Sequence, residues 1–261
     1  MQKKILIVDD HDDLSTVLTD EFGELGHLIK IAESRDAAVV LIKDENFDLI
    51  ITDLDGEHLT DNGAPDKITC LPEAIPNARS SVKAFKICVS NYKHNEFTED
   101  ELKNFIETTL NHKAKFVDQK VIVKNLREKI EFEIPSVISL MNGILDYLME
   151  RVEKIGVVNS ENSNLFIALD EAFVNAVKHG NKFDATKLVR ITAEVSPKEA
   201  RFTIEDEGEG FNVAEIPDPT NVENLFKASG RGVLIIHNVM DEVRYNERGN
   251  RLEMIKKSEK I

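Results

Sequence analysis

The sequence predicts a two-domain α/β protein, and three observations carry that reading. At 261 residues the chain is longer than one ordinary small domain, so two domains is the prior. Residues 1–53 alternate short apolar runs with segments of helical period, the pattern of a parallel sheet. From residue 130 onward two amphipathic helices alternate with strands that end in glycine turns and a hairpin, which predicts a mixed sheet with helices on one face. The expected boundaries are 1–113 for the first domain and 130–261 for the second, with a charged link over 114–129.

The first domain opens on Lys4–Val8, an apolar run expected of a buried parallel strand. Leu14, Val17, Leu18, Phe22 and Leu25 then recur with helical period, and Gly26 ends that helix. Leu28–Ala32 reads as a second strand. Ser34 reads as the N-cap of a helix over Ala37–Asp44. Phe47–Thr52 reads as a third strand with Asp53 at its end. In parallel α/β sheets ligands bind beyond the carboxyl ends of the strands, where Asp9, Asp10 and Asp53 are expected to converge. Carboxylates crowded into one cleft repel unless a cation sits among them, which implies Mg²⁺. With the cation bound, Asp53 can attack a phosphoryl group as a carboxylate nucleophile.

These acids, in this order, resemble the motif of a response-regulator receiver domain, a flavodoxin-like parallel sheet. The resemblance implies a donor histidine kinase and Asp53 as phosphoacceptor. Beyond Asp53 the match decays and the distal part is remodelled. Either Phe85–Val89 is the fourth strand and Ser90 supplies the receiver hydroxyl, or it is the fifth strand and Lys93 supplies the receiver lysine. Phe97–Leu110 has helical period, with Thr98 and Glu101 placed for a capping box. Residues 61–77 hold three prolines and read as loop.

The second domain is organised around Leu165 to Asn181. Leu165, Leu169, Ala172, Phe173 and Ala176 form an apolar stripe at three- and four-residue steps. Glu171, Asn175 and His179 are four apart, each turned about 40° from the last, and form a polar file beside the stripe. A carboxylate and an amide one turn apart suit a hard cation and the phosphate chain it carries. Gly180 is expected to end the helix as a C′ residue. Downstream, a strand runs into Asp206, Gly208 and Gly210, and a second glycine turn, Gly230-Arg231-Gly232, opens a helix. Glycines let backbone approach a ligand, and a helix N-terminus presents N–H groups to an anion. Leu188–Val195 and Arg201–Glu205 read as strands, and Glu242–Asn246 with Arg251–Lys256 as a hairpin about Gly249-Asn250.

The three motifs resemble the N, G1 and G2 boxes of the GHKL ATPase superfamily. They are most similar to its anti-sigma-factor serine kinases of the RsbW/SpoIIAB type. Glu171, Ala172, Asn175, Ala176, His179 and Gly180 match the N box of that group. Ile130–Ser136 and the helix over Val137–Glu153 match its leader. The resemblance covers roughly residues 120–257 and implies a Bergerat-type α/β sandwich that binds ATP and Mg²⁺. It implies that Asn175 coordinates Mg²⁺ and Glu171 acts as general base. It gives Asp206 the adenine amino group, and gives Gly230, Arg231 and Gly232 the phosphates. His179 either contacts phosphate or finishes the helix. Residues 212–228 are the expected nucleotide lid.

The implied partner is an anti-anti-sigma protein of the STAS type, with a sigma factor as alternative ligand and a homodimer as possible assembly. A histidine kinase would need a phosphoacceptor helical hairpin. Residues 112–160 offer only His112, with no acid after it. A non-catalytic ATP-holding partner switch is the remaining alternative. A formal charge of −15 argues against nucleic-acid binding. The chain holds no apolar run long enough for a membrane span, and residues 1–10 do not form a signal peptide. Cys70 and Cys88, 18 apart with no companion ligands, read as reduced thiols in a cytoplasmic protein.

Overall fold

The computed structural model describes residues 2–59, 69–73, 82–90, 97–120, 126–158, 164–212 and 231–258. The chain divides into two compact units, 1–134 and 135–261.

In the first unit β1 (Lys4–Asp9), β2 (Leu28–Ala32) and β3 (Leu49–Asp55) are parallel, with β1 between the other two. Helix α1 (Asp13–Glu24) and helix α2 (Arg35–Asp44) make the crossovers. Local signals worked as expected here: Gly26 adopts φ +83° after α1, and Ser34 Oγ caps α2 at Ala37 N–H. Both faces of the sheet are covered. Leu6, Val8, Ile50 and Leu54 pack with Ala38 of α2. On α1, Phe22 meets Phe105 of α3 (Glu99–His112) edge to face, with ring centroids 4.9 Å apart. The expected capping box at Thr98 and Glu101 is formed.

The distal part corrects the fully parallel sheet. Strand β4 (Val82–Val89) pairs antiparallel with β3, from Leu49↔Val89 to Asp55↔Lys83. Antiparallel neighbours need no helical crossover, so a fourth helix is not required between them. The chain then passes through α3 and returns as β5 (Arg127–Pro135), parallel to β4. β5 therefore begins before residue 130, and its pairing with β4 belongs to the first unit. Lys113–Val117 forms a π-helical turn and Asp118–Lys120 a 3-10 turn. Val117 and Asp118 are buried, so this part of the expected link is folded structure. Residues 121–125 lie outside the described residues.

The reduced-thiol expectation is also corrected: Cys70 and Cys88 are joined, their Cα atoms 5.3 Å apart. Leu71 is buried in the core, Arg35 Nε donates to the Pro72 carbonyl at 3.2 Å, and Lys86 Nζ donates to the Thr69 carbonyl. These contacts press residues 69–73 onto β4 beside Cys88. A spacing of 18 residues holds no trace of that packing.

In the second unit β6 (Leu188–Val195), β7 (Glu199–Asp206), β9 (Arg251–Lys257) and β8 (Glu242–Tyr245) pair antiparallel in that order. Val189, Ile191, Ala193, Phe202 and Ile204 alternate into the core while their neighbours do not, the mark of a sheet covered on one face. The described helices are α4 (Met141–Ile155), α5 (Leu165–Asn175) and α6 (Arg231–Val239). Every residue of the predicted α5 stripe is buried.

Candidate functional site

A cavity of about 260 Å³ opens in the second unit, lined among others by Asn175, His179, Gly180, Asp206, Gly210 and Phe211. Helix α5 brings Asn175 to it. The helix does not stop there: Ala176–Gly180 continues as one π-helical turn, an irregularity often found at functional sites. Gly180 is not a left-handed C′ residue. Among the described glycines, positive φ occurs only at Gly26, Gly156, Gly210 and Gly249. Gly180 is required for another reason. A Cβ there would lie 2.3 Å from Asp206 Cγ, so the missing side chain makes room for the carboxylate.

Strand β7 ends on Asp206, which is 8% exposed. Its Oδ1 accepts the Gly208 N–H at 2.8 Å. Burial raises the Asp206 pKa, opposed by that hydrogen bond and by Arg248. Gly210 has φ +78°, and a Cβ there would meet the Arg248 carbonyl oxygen at 1.9 Å. The turn between β8 and β9 thus packs directly on the Gly208–Phe211 segment. Arg248 seals the contact by donating to the Gly208 carbonyl at 2.7 Å, and Phe211 meets Tyr245 edge to face at 5.4 Å.

At the start of α6, a Cβ on Gly232 would fall 2.4 Å from Glu171 Oε2 and 3.5 Å from Asn175 Nδ2. The α6 backbone therefore runs against the predicted acid and amide, and a side chain at 232 would displace the Glu171 carboxylate. Glu171, Asn175, Asp206, Gly208, Gly210 and Gly232 are brought to one place. His179 lines the same cavity and is solvent-exposed. Gly230, the Arg231 side chain and the expected lid over 213–228 lie outside the described residues. Gly208, Gly210 and Gly232 let the Gly180 carbonyl, the Arg248 carbonyl and the Glu171 carboxylate close the walls, and Asn175 and Asp206 bring an amide and a carboxylate to the cavity, groups that fit a nucleotide with its Mg²⁺.

Sequence reasoning passed over Asn181, Arg248 and Asn250, which hold the backbone of Glu207, Gly208 and Asp206 respectively. Asn181 directly follows the predicted motif, and Asn250 was read only as a turn residue. Asn181 and Asn250 are buried polar residues, while Arg248 is exposed and reaches back to the Gly208 carbonyl.

Asp9 and Asp53 are register partners across β1 and β3, and each is held by its own partners. Asp9 spends both oxygens on backbone: Oδ2 accepts from Leu14 and Ser15 N–H at 2.9 and 2.8 Å, and Oδ1 from His11 N–H at 3.2 Å. It holds the start of α1. Asp53 is 5% exposed, and both its oxygens accept from Lys113 Nζ, at 3.0 and 2.9 Å. Lys113 is itself buried and also contacts Asp118 at 3.0 Å. Burial opposes the charge on Lys113, but Asp53 and Asp118 outweigh it and hold its pKa above the usual lysine range. Asp10 Oδ2 accepts the Asp55 N–H at 2.8 Å. One ligand atom each of Asp10, His11 and Asp55 lies within 4.8 Å of the others.

Ser90 does not serve as the receiver hydroxyl. Because β4 runs antiparallel, its end lies at the start of β3. There Ser90 N–H donates to the Asp48 carbonyl and Ser90 Oγ to the Phe47 carbonyl, while Asp53 sits at the opposite edge beside Phe85. Lys93 lies outside the described residues. The lysine that meets Asp53 is Lys113, which the sequence reading did not single out.

A model of the histidine kinase-like ATPase domain matches residues 135–256. Anti-sigma F factor from Clostridium perfringens strain SM101 is 33% identical over 101 residues, covering 37% of this chain and 71% of the relative. Serine-protein kinase RsbW from Staphylococcus epidermidis is 27% identical over 143 residues, covering 51% of this chain and 89% of the relative. The RsbW of Bacillus subtilis strain 168 is 28% identical over 141 residues, covering 51% and 88%. Through its second unit the chain belongs to the histidine kinase-like ATPase family. None of these matches shows a receiver domain in the first unit. Among the described residues no helix is long and apolar enough to cross a membrane.

Proposed function

We propose that the second unit is an ATP-dependent protein serine/threonine kinase that also acts as an anti-sigma-type partner switch. Its substrate would be an anti-anti-sigma protein of the STAS type, and a sigma factor would be the alternative ligand. The observation that carries this reading is the meeting of Asn175, Asp206, Gly180 and Gly210 at one cavity, with Glu171 and Asn175 both beside the Gly232 backbone, in a chain whose relatives are named serine-protein kinases and anti-sigma factors.

Bound Mg·ATP supplies the phosphoryl group and the cation that spreads its charge. Asn175 would hold the cation, and the N–H groups at the start of α6 would lie toward the phosphates. Asp206 would accept a hydrogen bond from the adenine amino group, and Gly208 and Gly210 would keep the wall beside it closed by letting the Gly180 and Arg248 carbonyls approach. Glu171 accepts the proton of the attacking hydroxyl, the role of a general base. The intact Glu171 and Asn175 favour a kinase over a module that only holds nucleotide. The test is to mix the protein with Mg·ATP and a candidate STAS partner and assay the partner for phosphoserine and phosphothreonine. No phosphate on the partner while ATP binds would select the non-catalytic switch.

Control by the first unit forms the second part of the proposal, with Asp53 as phosphoacceptor and a histidine kinase as donor. The Asp53–Lys113 pair sets its condition, since Lys113 must release Asp53 before a phosphoryl group can form there. Acetyl phosphate or beryllofluoride with Mg²⁺ should change partner phosphorylation in the wild type and not in Asp53→Ala. If the wild type takes up neither, the first unit is not a phosphorylation switch.

A further inference from the structure

Two buried asparagines grip the backbone on either side of the Asp206 carboxylate. Asn250 is 7% exposed. Its backbone carbonyl accepts the Asp206 N–H at 3.0 Å, a bond any residue here would make, and its side-chain Nδ2, at the edge of the cavity, donates to the Asp206 carbonyl at 2.8 Å. Asn181 is fully buried, and its Oδ1 accepts the next peptide N–H, that of Glu207, at 2.9 Å. Nδ2 of Asn181 donates to Ser136 Oγ at 2.6 Å and to the Leu188 carbonyl at 2.9 Å. Both Nδ2 protons of Asn181 are thereby used on segments far from Glu207 in sequence.

This arrangement settles which acid faces the cavity. Asp206 and Glu207 are adjacent, and a slip of one residue at a strand end exchanges the faces of neighbouring side chains. In the structure Glu207 turns away, accepting from Leu188 N–H at 3.1 Å and Arg190 at 3.2 Å. Asp206 lines the cavity, in the space left by Gly180. A short carboxylate can be no better aimed than the peptide that carries it.

We propose that Asn181 and Asn250 are positioning residues for recognition of the nucleotide base, acting by locking the Asp206–Glu207 peptide in register. This rests on the reading of Asp206 as acceptor for the adenine amino group. A structural role alone would weaken every nucleotide alike. A positioning role weakens only ligands that carry the amino group.

The test uses the full chain with Mg²⁺, titrated with ATP and with purine riboside triphosphate, which lacks that amino group. The wild type should prefer ATP by roughly ten- to a hundredfold, the worth of one hydrogen bond to a charged group. In Asn250→Ala and Asn181→Ala the preference should fall to roughly threefold or less, with the larger loss falling on ATP. Equal loss for both ligands, or an undiminished preference, overturns the positioning role. A wild type that binds ATP with no preference over the analogue removes the Asp206 reading itself, and the clamp with it. Should Asn181→Ala fail to fold, Asn250→Ala in the turn decides the question.

Discussion

Two aspartates close strands in the two halves of this molecule, and they meet opposite fates. Asp206 at the end of β7 has backbone packed tightly about it through Gly180 and Gly208, and it lines a cavity. Asp53 near the end of β3 is sealed by Lys113, which occupies both its oxygens inside the protein. An acid at a strand end becomes a binding group only when its surroundings hold it in place without neutralising it. Close-packed glycine does this for Asp206, while an internal cation has already claimed Asp53.

The largest expected effect tests the open side. Glu171→Ala should leave Mg·ATP affinity unchanged by calorimetry and slow phosphotransfer to the partner by about 10²–10⁴-fold, the usual loss with a general base. Equal rates in mutant and wild type would rule out the base, though not the nucleotide site.

The sealed side comes next. Lys113→Met should destabilise the first unit by about 3–5 kcal/mol, because it strands a buried carboxylate without its cation. Urea unfolding followed by circular dichroism reads this directly, and an unchanged midpoint would show that the seal is dispensable. The sign with pH follows from the raised pKa of Lys113. Its contribution is complete below the unfolded lysine value of about 10.4 and is lost only as pH rises through the higher folded value. The cost of Lys113→Met should therefore stay level from neutral pH to about 9.

A smaller effect is expected at Asp206. Asp206→Asn keeps the shape but replaces one acceptor oxygen with a donor. It should weaken ATP by about 1–3 kcal/mol in calorimetric titration. Retained affinity would place the base elsewhere.

The smallest effect is a pH dependence. Burial raises the Asp206 pKa, so its acceptor charge is present above that raised value and disappears as pH falls through it. ATP affinity should fall on acidification at a higher pH than an ordinary aspartate would give, and Asp206→Asn should flatten the profile. An identical profile in both proteins would assign the titration to another group.

Much of the second unit was legible because its signals are local. The stripe from Leu165 to Ala176 and the file of Glu171, Asn175 and His179 follow from helical period alone. So do the caps at Ser34 and Thr98 in the first unit, since each bonds within a few residues of itself. The role of Gly180 was legible only as a choice of glycine. The expectation of a helix stop came from sequence position, and the actual cause is a carboxylate 26 residues away.

The distal first unit was not legible in the same way. The apolar run Phe85–Val89 announces a strand but carries no direction. Hydrophobic burial is indifferent to whether a strand runs up or down, and that choice lies in hydrogen-bond pairing with β3. Direction decided where Ser90 went, which lysine reached Asp53, and that Cys88 lies beside Cys70. By itself the sequence determined two α/β halves and the helices and caps, all set by periodicity and short-range bonding. Only the tertiary structure decided how Asp53 is occupied and how Asp206 is aimed. Both depend on partners 60 and 44 residues distant, brought in by packing that no local pattern records.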